Sequence, residues 1–380
     1  METIAQILSR ELEQPLEYVE NVIALIDEGN TIPFIARYRK ERHGSMDDTV
    51  LRTLADRLEY LRGLEKRREE VRAAIEAQGK LTEELSGALT AAATLAEVED
   101  LYRPYRPKRR TRATIARERG LEPLAALLFA QGRDCPAPMA EAAKYVDPDK
   151  GVNTAEEALQ GAGDIIAEDI SDDAGVRKAL RELLLRRGAL VSRAAGEEDT
   201  VYRLYYDFQQ PLSRLQDHQI LAIDRGEREG ALKVKVDCDR EEALVALRRR
   251  VVRPGSAAMD FIKAAAEDAY DRLLFPSLER EIRSLLTDRA AEGAIHNFAL
   301  NLRPLLMQPP VRGHVTMGLD PGYRMGCKVA VVDPTGKVLD TAVVYPTHGE
   351  RQYKACLETL AGLIRRHSVT RIAIGNGTAS

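Results

Sequence analysis

A dense cluster of basic residues lies between two stretches of helical pattern. Residues 103–119 contain eight Lys or Arg side chains and a single acid, Glu118. Cations at this density neutralise phosphates and release condensed counterions, while Tyr102 and Tyr105 add ring faces on which an unpaired base could stack. The segment therefore predicts a binding site for nucleic acid, suited to single strands. Its candidate binding residues are Arg103, Tyr105, Arg106, Lys108, Arg109, Arg110 and Arg112.

The same arginines have a structural interpretation. Glu97, Glu99 and Asp100 come just before the segment. Arginine forms bidentate ion pairs that brace one helix against another. The sequence leaves open whether the segment is a phosphate-binding surface or an ion-paired brace.

An acid follows a predicted strand in the motif Gly318-Leu319-Asp320-Pro321-Gly322. RNase H-like nucleases use this position as the first ligand of a two-metal site, in which several carboxylates hold two ions about 4 Å apart. Where such nucleases place a second acid, at the end of the fourth strand, this chain has Gly375-Asn376-Gly377. Asp320 is therefore a vestigial catalytic candidate, with a cap of the Asp-Pro-Gly turn as its alternative role.

A second, shorter basic stretch covers residues 37–43 and follows two short predicted helices. The arrangement approaches a helix-turn-helix, in which a helix and its flanking cations contact a duplex. A solvated surface without a ligand is the alternative interpretation.

The elements around these residues are mostly helical as far as residue 310. Asp47 and Asp48 offer N-caps to a helix of roughly thirty residues, an extended arm. Capping boxes that begin at Thr94 and Thr154 indicate two further helix starts. Residues 220–236 contain two apolar runs around Gly226 and Gly230, and they predict a small β-hairpin inserted among the helices.

The spacing of the apolar residues changes from a helical to a strand-like pattern after the Pro-rich stretch near residue 310. Three β-rich runs with short turns begin at Val315, a helix follows from about Arg351 to Arg366, and a fourth strand covers residues 371–375. This order is typical of the start of an RNase H-like domain. We expect one region over residues 1–310 and a partial α/β domain over residues 311–380, truncated before its fifth strand.

Composition excludes several classes of protein. The net charge of the 380 residues is −4, so attraction to nucleic acid must come from local clusters. Four widely spaced cysteines and six unpaired histidines give no metal-ligand or nucleophile pattern. No signal peptide or membrane-length apolar run is present. These features predict a cytoplasmic protein without a cofactor, apart from Mg²⁺ if Asp320 serves a nuclease.

Three long segments resemble the bacterial Tex family of transcription accessory proteins. They are TIPFIARYRKE at 31–41, DLYRPYRPKRRTRATIA at 100–116 and GLDPG at 318–322, and residues 221–236 and 372–380 are similar as well. The resemblance implies a helix-turn-helix-like N-terminal region and a YqgF-type RNase H-like domain, which is generally regarded as catalytically incomplete. It also implies helix-hairpin-helix and S1 modules after residue 380.

The sequence and this resemblance together predict a non-catalytic scaffold that binds RNA or DNA and contacts the transcription machinery. Two other functions remain open. One is a metal-dependent nuclease or resolvase that uses Asp320 with acids beyond residue 380. The other is a protein-binding role for the long helical arm, with RNA polymerase or the ribosome as partner.

Overall fold

The N-terminal helices are held together by one apolar face of a long helix. The computed structural model describes residues 2–107, 109–309 and 311–376. The first elements are α1 (Ile4–Glu11), α2 (Leu16–Asp27), α3 (Ile32–Tyr38) and α4 (Asp48–Glu76). Asp47 caps α4, as predicted, by accepting a hydrogen bond from Val50 N at 2.8 Å. Leu51, Leu54 and Leu58 are buried against the three preceding helices, so the first half of the arm forms part of a core.

The second half of α4 packs against α5 (Glu83–Ala91) and α6 (Leu95–Tyr102). Thr94 caps α6 by accepting from Glu97 N, as the sequence predicted. The Glu97 carboxylate accepts from Ala93 N at 2.7 Å. The reciprocal bond of this capping box is thus displaced by one residue, and it still satisfies an amide at the helix start.

The largest core surrounds one buried helix, α10 (Ala155–Asp172). Its alanines allow neighbouring helices to approach closely, and a methyl group on Gly161 would overlap the Leu121 side chain. Thr154 caps this helix, as predicted, by accepting from Glu157 N. The elements around it are α7 (Arg112–Glu118), α8 (Glu122–Ala130), α9 (Pro138–Ala142) and α11 (Ala174–Arg187).

A small antiparallel sheet follows, with strand order β2-β1-β3. Its elements are β1 (Ala189–Ala194), β2 (Asp207–Pro211), α12 (Asp217–Arg228) and β3 (Leu232–Asp237). The predicted hairpin over residues 220–236 is therefore wrong in its first arm, which is the helix α12. Ile220 and Ile223 lie three residues apart and are both buried, a spacing that suits one helical face. The second arm is a strand, as predicted.

The chain then returns to helix. The elements are α13 (Arg240–Val251), α14 (Met259–Asp268), a π-helical stretch (Ala269–Leu274) and α15 (Phe275–Leu306). Pro276 has no N–H to continue the regular ladder, which accounts for the wider turn before it. Glu279 of α15 accepts a hydrogen bond at 2.7 Å from Val236 N on the edge strand β3.

By its internal packing the chain divides into two units, Met1–Ala294 and Ile295–Ser380. The second unit contains β4 (Thr316–Asp320), β5 (Cys327–Val332), β6 (Val338–Val344), α16 (Glu350–His367) and β7 (Arg371–Ile374). Its strand order is β6-β5-β4-β7, with β7 parallel to β4 and the other pairs antiparallel. The predicted fold class, a mostly helical region followed by an α/β unit of RNase H-like type, is confirmed.

In the described ranges, no helix has the length and apolar character that crossing a bilayer requires. The four cysteines are all free. Cys327 and Cys356 are buried, and burial is the main cause that raises the pKa of each thiol. The predicted boundary at residue 310 stays a prediction.

Candidate functional site

The basic segment leaves the helical pattern because of its prolines. After α6 the chain makes one short turn, Arg103–Tyr105, and Arg106 is extended with φ −68° and ψ 135°. Pro104 and Pro107 lack amide hydrogens and cannot continue a helix. Thr111 then caps α7 by accepting from Thr114 N at 3.0 Å. Lys108 was also predicted to bind, and it lies outside the described residues.

Both ends of the segment are fixed to acids near the end of α10. Arg103 Nε is 3.2 Å from Asp172 Oδ1. Arg117 contacts Glu168 at 2.6 Å and Asp169 at 2.7 Å. Burial, followed by the positive charge of Arg177, lowers the pKa of Arg103. Burial alone would lower the pKa of Arg117 too, but its acidic partners outweigh it and raise that pKa.

The start of α7 has the same acidic anchor. Thr111 Oγ1 donates to Glu168 Oε1 at 3.0 Å while it caps the helix. Glu168 is only 7% exposed, so this contact is fixed inside the fold. The predicted binding residues thus lie between two anchored points.

The middle of the segment faces solvent. The Arg110 side chain is 69% exposed and pairs with Glu118 at 2.9 Å. Arg109 and Arg112 are exposed, and neither forms an ion pair with the residues that the structure describes. Arg106 pairs with Glu99. Surface pairs of this kind contribute at most about 1 kcal/mol, so they do not prevent exchange for a phosphate.

The aromatic residues are less available than the sequence suggested. The Tyr102 ring has the guanidinium groups of Arg67 and Arg106 each 5.6 Å from its centroid. Tyr105 is half-buried against the α4–α5–α6 cluster, and its carbonyl oxygen accepts from Gln78 Nε2 at 2.9 Å. The predicted part of Tyr105 in binding stays a prediction, and its observed contacts anchor the turn.

The acids named in the structural interpretation have several different partners. Glu99 binds Arg67 as well as Arg106, and Glu97 binds Lys178 at 2.6 Å. Asp100 is buried and forms two pairs of 2.6 Å, with Arg177 and Arg181 of α11. These partners lie 77 and 81 residues along the chain. The spacing of residues near Asp100 in the sequence therefore could not predict these two partners.

The buried pairs continue onto α15. Glu281 lies 2.5 Å from Arg181 Nε and 3.3 Å from Arg177 Nη2. One carboxylate on α6, two arginines on α11 and one carboxylate on α15 therefore form an ion network, buried at Asp100, Arg177 and Arg181 and partly exposed at Glu281. It fixes α6, from which the basic segment begins, to the largest core.

Asp320 lies at the end of the first strand of the second unit, as predicted. It ends β4 beside the end of β7, and a methyl group on Gly375 would lie 3.9 Å from Asp320 Oδ1. Lys328 faces it across the β4–β5 pair. An open cavity of about 960 Å³ covers this part of the sheet. Among the described residues, no group of three His, Cys, Asp or Glu side chains is placed to hold a metal ion.

Three family models match consecutive parts of the chain. They are a Tex-like protein N-terminal domain at residues 2–76, a Tex central region-like domain at 134–298 and a Tex protein YqgF-like domain at 314–380. Their order agrees with the two described units and with the motifs noted in the sequence.

Curated relatives are similar over nearly the whole chain. Identity is 42% to the uncharacterized protein YdcI of Bacillus subtilis, over 100% of this chain and 54% of that protein. It is 43% to protein tex of Bordetella pertussis, over 99% and 49%. It is 40% to transcriptional accessory protein Tex of Neisseria gonorrhoeae, over 99% and 50%. The chain spans about half the length of these relatives. On these matches, the chain belongs to the Tex family.

Proposed function

We propose that this chain binds RNA or DNA as part of a transcription accessory factor. The observation that carries the proposal is the exposed run of guanidinium groups at Arg109, Arg110 and Arg112, held between the anchored residues Arg103 and Arg117. Anchored ends reduce the ordering entropy that the chain loses when a ligand binds. The exposed groups can exchange weak surface partners for phosphate oxygens, which accept bidentate bonds from arginine. The name of the N. gonorrhoeae relative supports the link to transcription.

A salt series tests this proposal. Fluorescent single-stranded RNA and duplex DNA are titrated with the chain and with the double variant Arg109→Glu, Arg110→Glu. Each lost phosphate contact reduces the slope of log K against log salt by about 0.7 for a single strand, so the double variant should lose roughly 1.4. Arg249→Glu with Arg250→Glu, on the exposed last turn of α13, is the matched control for total charge. Equal slopes for all three proteins would refute the assignment.

The proposal includes the absence of nuclease chemistry. A two-metal reaction needs several carboxylates around the position of Asp320, and the residue after Gly375 is Asn376, a neutral amide. Labelled RNA and duplex DNA incubated with the chain and Mg²⁺ should stay intact. Cleavage that disappears in Asp320→Asn would establish the nuclease function instead.

Contact with the transcription machinery is the remaining part of the proposal. The α4 arm has 29 residues, and charged side chains cover the face opposite its buried leucines. Association with purified RNA polymerase or ribosomes should persist after nuclease treatment if this face binds protein. Loss of the association after that treatment would assign it to bound nucleic acid.

A further inference from the structure

A second basic surface lies on α3 and the loop that follows it. Residues 37–42 contain four cations and one acid, Glu41. Arg37, Lys40 and Arg42 are exposed, and none of these cations forms an ion pair within the part of the chain that the structure describes. In the segment at 103–119, by contrast, Arg103, Arg106 and Arg117 each pair with a carboxylate.

The same surface carries an open aromatic ring. Phe34 and Tyr38 lie one helical turn apart, with ring centroids separated by 5.2 Å and planes inclined by 47°. The Arg39 guanidinium is 5.1 Å from the Phe34 centroid and covers that ring. Tyr38 is 56% exposed. In contrast to Tyr102 and Tyr105, its ring is available to a planar ligand.

The loop between α3 and α4 has a fixed shape. His43 is only 1% exposed, and Met46 is buried in the N-terminal core. Gly44 has φ +59°, and a methyl group there would overlap the Tyr18 ring. Asp47 then caps α4. Because buried residues hold the loop, its cations need little ordering when a ligand binds.

We propose that this surface is a contact for single-stranded nucleic acid, with one base stacked on Tyr38 and phosphates beside Arg37, Lys40 and Arg42. A single strand is favoured because its bases can leave the stack and offer a face to the ring, whereas a duplex keeps those faces covered. The inference rests on the proposed nucleic-acid function. It uses none of the residues of the segment at 103–112.

A tryptophan reporter tests the stacking directly. The chain has no Trp, so the variant Tyr38→Trp contains a single indole at the proposed site. Single-stranded oligouridine or oligothymidine should quench its emission. Tyr353→Trp is the control, since Tyr353 is 50% exposed on α16 and no nucleic-acid contact is proposed for it. Equal quenching in both variants would overturn the inference, as would equal quenching of Tyr38→Trp by duplex DNA.

Affinity gives a second readout. Tyr38→Ala should weaken binding of a labelled single strand about fivefold or more, the usual effect of losing one base–aromatic stack, and Tyr38→Phe should restore it. The triple variant Arg37→Gln, Lys40→Gln, Arg42→Gln should reduce the salt slope by about 2. If Tyr38→Ala fails to fold by circular dichroism, quenching of Tyr38→Trp still decides.

The outcomes separate this inference from the proposed function. Binding that depends on Arg109 and Arg110 but not on Tyr38 overturns the second surface and leaves the proposed function in place. No binding of either nucleic acid at low salt overturns both. Quenching of Tyr38→Trp together with weaker binding by Tyr38→Ala supports the second surface, whatever the effect of the double variant Arg109→Glu, Arg110→Glu.

Discussion

Breaking the buried ion network around Asp100 should destabilise the larger unit, because it leaves buried charge without a partner. Asp100 is 4% exposed, and Arg177 and Arg181 are 2% and 8% exposed. The substitution Asp100→Asn replaces the carboxylate by a neutral amide, while the guanidinium groups of Arg177 and Arg181 stay buried. Removing one partner of a buried pair costs about 3–5 kcal/mol. Glu281 still contacts both arginines, so we expect the lower end of that range, about 3 kcal/mol.

Thermal unfolding followed by circular dichroism measures this effect. The larger unit spans Met1–Ala294, and at about 2.1 cal/mol/K of unfolding entropy per residue each kcal/mol shifts its Tm by roughly 1.6 °C, so Asp100→Asn should lower Tm by roughly 5 °C. Asp27→Asn is the control because Asp27 forms an exposed pair with Arg62 at 2.7 Å, and its loss should cost less than about 1 kcal/mol. A decrease for Asp100→Asn no larger than that of the control would show that the network contributes little.

Three further perturbations have defined outcomes. The hydrogen bonds from Arg57 are the main cause that lowers the pKa of Glu11 in the folded chain. The resulting stabilisation is complete above the unfolded pKa of about 4.3 and is lost as pH falls through the folded pKa. Glu11→Gln should therefore reduce the change of the urea midpoint with pH between these two pKa values. Gly44→Ala should cost about 2 kcal/mol or more in urea unfolding, against about 1 kcal/mol for Gly29→Ala, which has a positive φ but open space. Equal costs would contradict the packing argument. Thr111→Ala should lose about 1 kcal/mol as an N-cap, and Thr111→Ser should recover it in the same measurement.

Local signals in the sequence predicted much of the fold. Asp47, Thr94 and Thr154 cap the helices that their spacing indicated, because a cap depends on residues within one turn. The succession of three strands, a helix and a fourth strand in the second unit was also predicted, from its short turns and one helical crossover. The run Ile220 to Ile223 misled the hairpin prediction because four apolar residues suit either a buried strand or a buried helical face.

The candidate site could be predicted only in part. The density of cations at 103–119 was visible, but their division into anchored and exposed groups was not. That division depends on Glu168 and Asp172, which lie 51 to 69 residues away along the chain. The open ring of Tyr38 was equally hidden, since exposure depends on how α3 packs. Ion-pair partners that are distant along the chain produce no periodic pattern from which a single sequence could predict them.

The hydrogen bond between Val236 and Glu279 also bears on how the chain behaves at high concentration. Strand β3 is an edge, and free edge amides can recruit a strand from another molecule. Here an approaching strand would have to displace a carboxylate from the Val236 amide and pass the exposed ammonium groups of Lys233 and Lys235. Helix α15 thus protects the β3 edge of the small sheet from strand addition, in addition to covering the core.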